Sequence, residues 1–251
     1  MTVYFIGAGP GAADLITVRG QRLLQNCPVC LYAGSIMPAD LLEYCAPGTR
    51  IVDTGPLTLA QIIDELVAAD RAGLDVARLH SGDPSIYSAL AEQCRHLDAQ
   101  GVEYEIVPGV PAFAAAAAAL GRELTVPGVS QTVTLTRVAT LSTAMPPGED
   151  LRTLSAPGAT LVLHLAAAQI ETIVADLTAG GYTADTPCAV VAYASWPTQQ
   201  VLRSTLGEIA GQLREAGITK TAVIFVGEVL AAEGFTDSYL YSAGRRRGSR
   251  H

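Results

Sequence analysis

Short apolar runs at Val3–Gly7, Val29–Tyr32, Ile51–Asp53, Val76–Leu79 and Tyr104–Val107 alternate with stretches long enough for a helix. This alternation constrains the fold more than any other feature of the chain. Strands joined through helices run parallel, and a parallel sheet needs cover on both faces. The clearest helix is predicted over residues 58–71, where Leu59, Ile62, Ile63, Leu66 and Val67 share one stripe. Thr58 with Gln61 three residues later has the form of a capping box, and Gly73 follows the helix end.

Beyond the alanine run 114–119 the pattern changes. Gln131–Arg137, "QTVTLTR", alternates with period two and reads as an exposed or edge strand. A loop containing Met145-Pro146-Pro147-Gly148 follows. Strands are then predicted at Thr160–Leu165, Cys188–Tyr193, Gln199–Leu206 and Thr221–Val226, with helices over Gln169–Leu177 and near Gly207–Ala216. That order implies a mixed sheet. The fold class is therefore α/β, with two α/β domains. The N-terminal one, residues 1–120, carries a mainly parallel sheet, and the C-terminal one, residues 121–251, a mixed sheet. They join near residues 112–122, with an interdomain cleft as the default ligand site.

Composition narrows the class. Apolar residues make up 49% of the 251 and charged ones 16%, which suits a packed globular protein. The apolar run Val110–Leu120 is too short to span a membrane and contains Pro111. The chain enters a strand by residue 3 without a basic leader, so no secretory signal is expected. Five cysteines, an odd number, point to a reducing, cytoplasmic compartment. Cys27 and Cys30 form a C-x-x-C that leaves a helix and enters a strand, a placement for packing rather than redox chemistry. His80, His96, His164 and His251 include no i, i+4 pair, and no metal site is expected. A formal net charge of −8 disfavours nucleic acid and anionic membranes as partners. Arg245, Arg246, Arg247 and Arg250 lie in a basic tail, 244–251, where charge is usually solvated.

Gly7-Ala8-Gly9-Pro10-Gly11-Ala12 formally satisfies the dinucleotide fingerprint G-x-G-x-x-G/A after a strand. Two features argue against a pyrophosphate there. Pro10 has no N–H to offer. The second strand also ends in Ala33-Gly34-Ser35 with no acid for a ribose hydroxyl, the next being Asp40. No P-loop exists either, since Lys220 is the only lysine. The stretch 78–93, "RLHSGDPSIYSALAEQ", ends a strand at His80 and turns at Ser81-Gly82. A helix is predicted beyond Asp83, with Asp83 as N-cap and Pro84 as first helical residue. Strand ends of this kind are also where ligands bind in open α/β sheets. "EIVPGVPAF" repeats the arrangement one strand later, with Pro108-Gly109 at the strand end.

Taken in order, Gly7–Gly11 with "DLIT", then "YAGS", "SGDPSIY" and "VPGV", resemble the tetrapyrrole (corrin/porphyrin) methyltransferase family over almost the whole chain. "LYAGSIMPADLL", "ALGRELTVPGVSQTVTLTR" and "AYASWPTQQVLRSTL" are most similar to the branch that methylates C11 of precorrin-4. The resemblance implies the tetrapyrrole methylase fold, a homodimer, and S-adenosylmethionine as methyl donor bound between the domains. It places Pro10, Ser81, Gly82, Asp83, Ile86, Tyr87, Pro111 and Ala112 on the cofactor. From the second half it adds Leu165, Ala166, Ala194, Ser195, Thr221 and Ala222. It also puts Asp14 at the acid of the glycine-loop motif, though a first-turn helix acid explains that residue equally. Leu165 stands where relatives often carry Met, and Pro111 where many carry Thr or Ser.

A sulfonium methyl group is already an activated electrophile, so positioning suffices and no catalytic base is named. A polycarboxylate macrocycle meeting a chain of charge −8 needs local arginines, and Arg122 and Arg137 are the candidates, each also readable as solvated surface. Other readings keep the donor and change the acceptor: C20 or C17 of another corrin precursor, uroporphyrinogen III, a protein or rRNA. A nucleotide-dependent oxidoreductase would need the missing acid, and a binding module would transfer nothing.

Overall fold

Residues 1–139 and 143–238 are described by a computed structural model. The basic tail 244–251 lies outside them. The described residues form two compact units, one of residues 1–115 with 193–199 and one of 116–139 and 143–192 with 200–238.

In the first unit, β1 (Val3–Gly7), β2 (Val29–Tyr32), β3 (Arg50–Asp53), β4 (Val76–His80) and β5 (Tyr104–Val107) pair in the order β3-β2-β4-β1-β5. Every pairing is parallel. The crossovers are α1 (Val18–Asn26), α2 (Leu59–Arg71) and α3 (Leu90–Gln100), and α4 (Ala112–Leu120) leaves after β5. The inner strands β1 and β2 are apolar on both faces because both are covered. Val3, Phe5, Val29, Leu31 and Val76 pack with Ile62, Ile63, Leu66 and Leu97 of α2 and α3. Ile6, Cys30, Ala77, Leu79 and Val107 pack on the other face with Leu24 of α1.

Local chemistry sets the helix starts. Thr17 accepts the Gly20 N–H at 3.1 Å and caps α1. At α2, Gln61 N–H donates to Thr58 Oγ1 at 3.3 Å while Thr58 N–H donates to Gln61 Oε1 at 2.9 Å, completing the capping box. Cys27 ends α1 and Cys30 sits within β2, both buried. Burial pushes both thiols up, Cys27 to about 12, which makes them poor nucleophiles and poor metal ligands.

The second unit holds β6 (Val133–Arg137), β7 (Thr160–His164), β8 (Pro187–Ala192), β9 (Gln200–Thr205) and β10 (Ala222–Val226) in the order β6-β7-β10-β8-β9. β6 and β7 are parallel and the other pairs antiparallel, so the sheet is mixed with β6 on its edge. Its helices are the short α5 (Leu151–Leu154), α6 (Ile170–Ala179) and α7 (Ile209–Glu215). Leu161, Val162, Leu163, Val190, Ile224 and Phe225 are fully buried at its centre. No helix among the described residues is long and apolar enough to cross a membrane.

Candidate functional site

The adjacent strands β4, β1 and β5 end together, and all three ends are backbone packed on backbone. A Cβ on Gly7 would lie 2.5 Å from Gly109 Cα, and one on Gly109 would lie 2.3 Å from the Gly82 carbonyl oxygen. Real Cβ atoms do not approach backbone so closely, so glycine is the residue that fits. Gly9 and Gly82 exchange both backbone hydrogen bonds, at 3.2 and 2.8 Å.

This pairing answers what the glycine loop holds. The Ala8 N–H donates to His80 O at 2.8 Å, the Gly9 N–H to Gly82 O, and the Ala12 N–H to Ser195 Oγ at 2.9 Å. Pro10 has no N–H. A pyrophosphate needs several convergent free amides, and here they are spent inside the protein. The loop is a wall rather than a phosphate cradle.

The expected helix beyond Asp83 is not there. Residues 84–88 form turns and bends, Ala89 is left-handed, and α3 starts at Leu90. Asp83 is therefore not an N-cap. Its Oδ1 accepts from Ser85 N–H at 2.8 Å and from the Ser85 hydroxyl, while Oδ2 accepts the Gly109 N–H at 2.7 Å. A partner 26 residues away outcompetes the local helix start, because it satisfies an amide at the end of β5. Partial burial pushes the Asp83 carboxyl up, but the bonds from Ser85 and Gly109 outweigh that and hold it below the usual carboxylate range. Asp14 is exposed in the three-residue 3-10 turn Ala13–Leu15, ahead of α1 rather than in its first turn.

Backbone strain marks the same residues. Among the described residues, the non-glycine positions with positive φ are Tyr87, Ala89, Leu165, Tyr193, Ser195 and Thr221, at φ between 51° and 68°. Each left-handed side chain of this kind costs of order 1–3 kcal/mol and clusters at functional positions. Tyr87, Leu165, Ser195 and Thr221 all belong to the expected cofactor set, and the other two adjoin it. Leu165 is 63% exposed, a large apolar side chain held in a strained backbone with nothing covering it. It directly follows β7, and Thr221 directly precedes β10. Since those strands are antiparallel neighbours, both residues stand at one end of the second sheet, with Ala166 and Ala222 beside them.

The candidate arginines are partly engaged. Arg122 donates from Nη1 to Ala232 O at 3.1 Å. Arg137 donates to the carbonyls of Val138, Thr143 and Ala144 at 3.1 to 3.3 Å.

Sequence patterns did not flag three features beside the site. Arg78, 7% exposed in β4, donates to Gln93 Oε1, Thr54 Oγ1 and Leu79 O, with no carboxylate among the described residues in contact. Burial pushes its guanidinium down to about 10, which leaves it charged at neutral pH. His80, two residues on, packs its ring 5.6 Å from that of Phe5 and leaves Nε2 without a partner among the described residues. Burial and the neighbouring Arg78 charge push it down to about 3, against a bond to the Ser88 backbone that pulls upward. It stays neutral and is no general base near pH 7. Trp196 is the third, donating from Nε1 to Pro10 O at 3.0 Å. Its sequence signals were being the sole tryptophan and lying within "AYASWPTQQVLRSTL", neither of which assigned it a role.

Two α/β units with these strand ends define a methylase class, and the family model for tetrapyrrole (corrin/porphyrin) methylases matches residues 2–210. The chain belongs to that family. Among individual proteins, it is 76% identical over 245 residues to a precorrin-4 C(11)-methyltransferase of Mycobacterium tuberculosis, covering 98% of each chain. Among solved structures, a cobalt precorrin-4 methyltransferase involved in cobalamin biosynthesis superposes with a TM-score of 0.88 at 39% identity, covering 91% of this chain and 95% of that one. A uroporphyrin-III C-methyltransferase from Thermus thermophilus, solved with S-adenosylhomocysteine, gives 0.78 at 30% identity over 92% and 99%.

Proposed function

We infer that this protein transfers a methyl group from S-adenosylmethionine to C11 of precorrin-4, a step of cobalamin biosynthesis. The observation that carries the reading is the 76% identity to a precorrin-4 C(11)-methyltransferase along nearly the full length of both chains. Identity to the cobalt precorrin-4 enzyme is lower, at 39%, which favours the metal-free macrocycle as substrate.

The residues present fit the donor. Gly82, at φ +69°, and Gly109 form a shelf of bare backbone that admits a flat ligand. Asp83 holds that shelf together through Ser85 and Gly109. Ser81, Ile86, Tyr87, Pro111 and Ala112 surround it in sequence and are assigned to the donor, with Pro10 from the glycine loop. Leu165, Ala166, Ala194, Ser195, Thr221 and Ala222 complete the set, supported by the positive φ of three of them. The bound donor supplies a methyl group on a positively charged sulfur, ready for in-line attack by an electron-rich carbon.

The protein's own work is alignment and exclusion of water. Strained, rigidly held residues suit that task because they do not reorganise when the ligands arrive. Arg122 and Arg137 are assigned to the macrocycle carboxylates through their N–H groups not turned to backbone. Asp14, exposed just past the glycine loop, offers an acceptor for pyrrole N–H groups. The same reading makes the enzyme a cytoplasmic homodimer, supported by the family resemblance and by five free cysteines. Sedimentation of the purified protein tests the dimer.

The deciding experiment incubates the protein with methyl-labelled S-adenosylmethionine and, separately, precorrin-4, its cobalt complex and uroporphyrinogen III. Label at C11 of the metal-free macrocycle, located by NMR, is the expected result. Label on uroporphyrinogen III alone overturns it.

A further inference from the structure

We propose that Ser195 and Trp196 are positioning residues, a clamp that holds the glycine loop in its working conformation. The residues between β8 and β9, Tyr193–Gln199, fold as part of the first unit. There they meet the loop with complementary groups. Ser195 Oγ accepts the Ala12 N–H at 2.9 Å, and Trp196 Nε1 donates to the Pro10 carbonyl at 3.0 Å. These two bonds bracket Gly11. A Cβ there would lie 2.2 Å from Trp196 Cδ1 and 2.9 Å from Ser195 Oγ, so the third glycine of the loop exists to admit the indole.

The clamp is itself braced. Ser195 N–H donates to Gln199 Oε1 at 2.8 Å, Trp196 N–H to Tyr193 O at 2.9 Å, and the Tyr193 and Trp196 rings pack edge to face at 6.1 Å. Two of its residues, Tyr193 and Ser195, hold positive φ. A turn that only joined two strands would have no reason to store strain twice. Here the strain presents a hydroxyl and an indole N–H to the two polar backbone groups on either side of Gly11. The consequence is functional, because Pro10 belongs to the proposed donor contacts and Asp14 to the proposed macrocycle contacts. This role rests on the proposed methyl transfer.

The test compares wild type with Trp196→Phe, which keeps the ring and removes the N–H, and Ser195→Ala, which removes the acceptor. Residue-resolved amide exchange reads the loop without reference to activity. Calorimetry with S-adenosylhomocysteine and steady-state methyl transfer read its consequence. In Ser195→Ala, Ala12 exchange should rise at least tenfold, and in both variants kcat should fall about tenfold while the macrocycle KM and the melting temperature barely move. Restoring an acceptor with Ser195→Asn, a residue that tolerates positive φ, should recover part of kcat. Unchanged loop exchange overturns the clamp, and so does faster exchange with kcat within twofold of wild type. A wild type that protects Ala12 yet methylates no precorrin overturns the functional reading and supports the clamp.

Discussion

Gly82 and Gly109 sit on the same shelf for different physical reasons, and substitutions separate them. Gly82 has positive φ but an open Cβ direction, with its nearest neighbour 3.5 Å away. Gly82→Ala should cost about 1–2 kcal/mol, the left-handed penalty alone. Gly109→Ala drives a methyl group into Gly82 O and Gly7 Cα. Neither backbone atom has anywhere to go, so the loss should reach about 3 kcal/mol or more. Urea unfolding of the two variants measures the difference, and equal losses would refute the distinction. His80 supplies a second residue-scale expectation. Its folded value, about 3, lies below the 6.5 of a free imidazole, so the fold favours the neutral form. That contribution is complete above pH 6.5 and drains as the pH falls toward 3. Between pH 7 and pH 5 it amounts to about 2 kcal/mol. Unfolding at the two pH values should show a flatter dependence for His80→Asn than for wild type.

Helices and strands show how far local rules reach. Thr58 and Gln61 make their capping box with each other, so four residues of sequence suffice to place the start of α2. Thr58→Ala should remove about 0.5–2 kcal/mol of stability and leave S-adenosylhomocysteine affinity unchanged, because none of the proposed contacts belongs to α2. A melting curve and a titration check both halves. Asp83-Pro84 has equally good capping chemistry and yet starts no helix. Its carboxylate is taken by the end of β5, a competitor that no window of sequence around residue 83 contains. The central strands were legible because burial on both faces writes an uninterrupted apolar run, as in β1 and β2. β6, on the edge, carries a period-two alternation in its sequence, although the residue it buries is Thr136 and Leu135 is exposed.

At the scale of the molecule, a net charge of −8 opposes a polycarboxylate at long range. Macrocycle binding must therefore depend on a few local cations, and exposed ones lose strength in salt. Raising salt should weaken macrocycle binding while leaving S-adenosylhomocysteine binding nearly constant. Arg122→Met and Arg137→Met should each weaken macrocycle binding by roughly 1.5–3 kcal/mol per charged hydrogen bond lost. The Arg137 variant should also lose some stability, since its guanidinium ties down the carbonyls of residues 138, 143 and 144. Isothermal titration of both variants at two salt concentrations checks the set. Unchanged macrocycle affinity would move recognition to Arg19 and Arg22 on α1, both exposed.

The order of apolar runs and the spacing of turn residues determined the α/β class, the parallel first sheet and the mixed second sheet. Each of these depends on periodicity or on residues adjacent in the chain. Only the tertiary structure decided what the glycine loop is for. The Ala8, Gly9 and Ala12 amides are claimed by His80, Gly82 and Ser195, partners 72 to 183 residues away in sequence, and Gly11 is glycine because an indole occupies its side-chain space. Local sequence carries the propensity to turn there. Which groups fill the turn is settled by long-range packing, where every buried N–H takes the acceptor that the whole fold brings within reach.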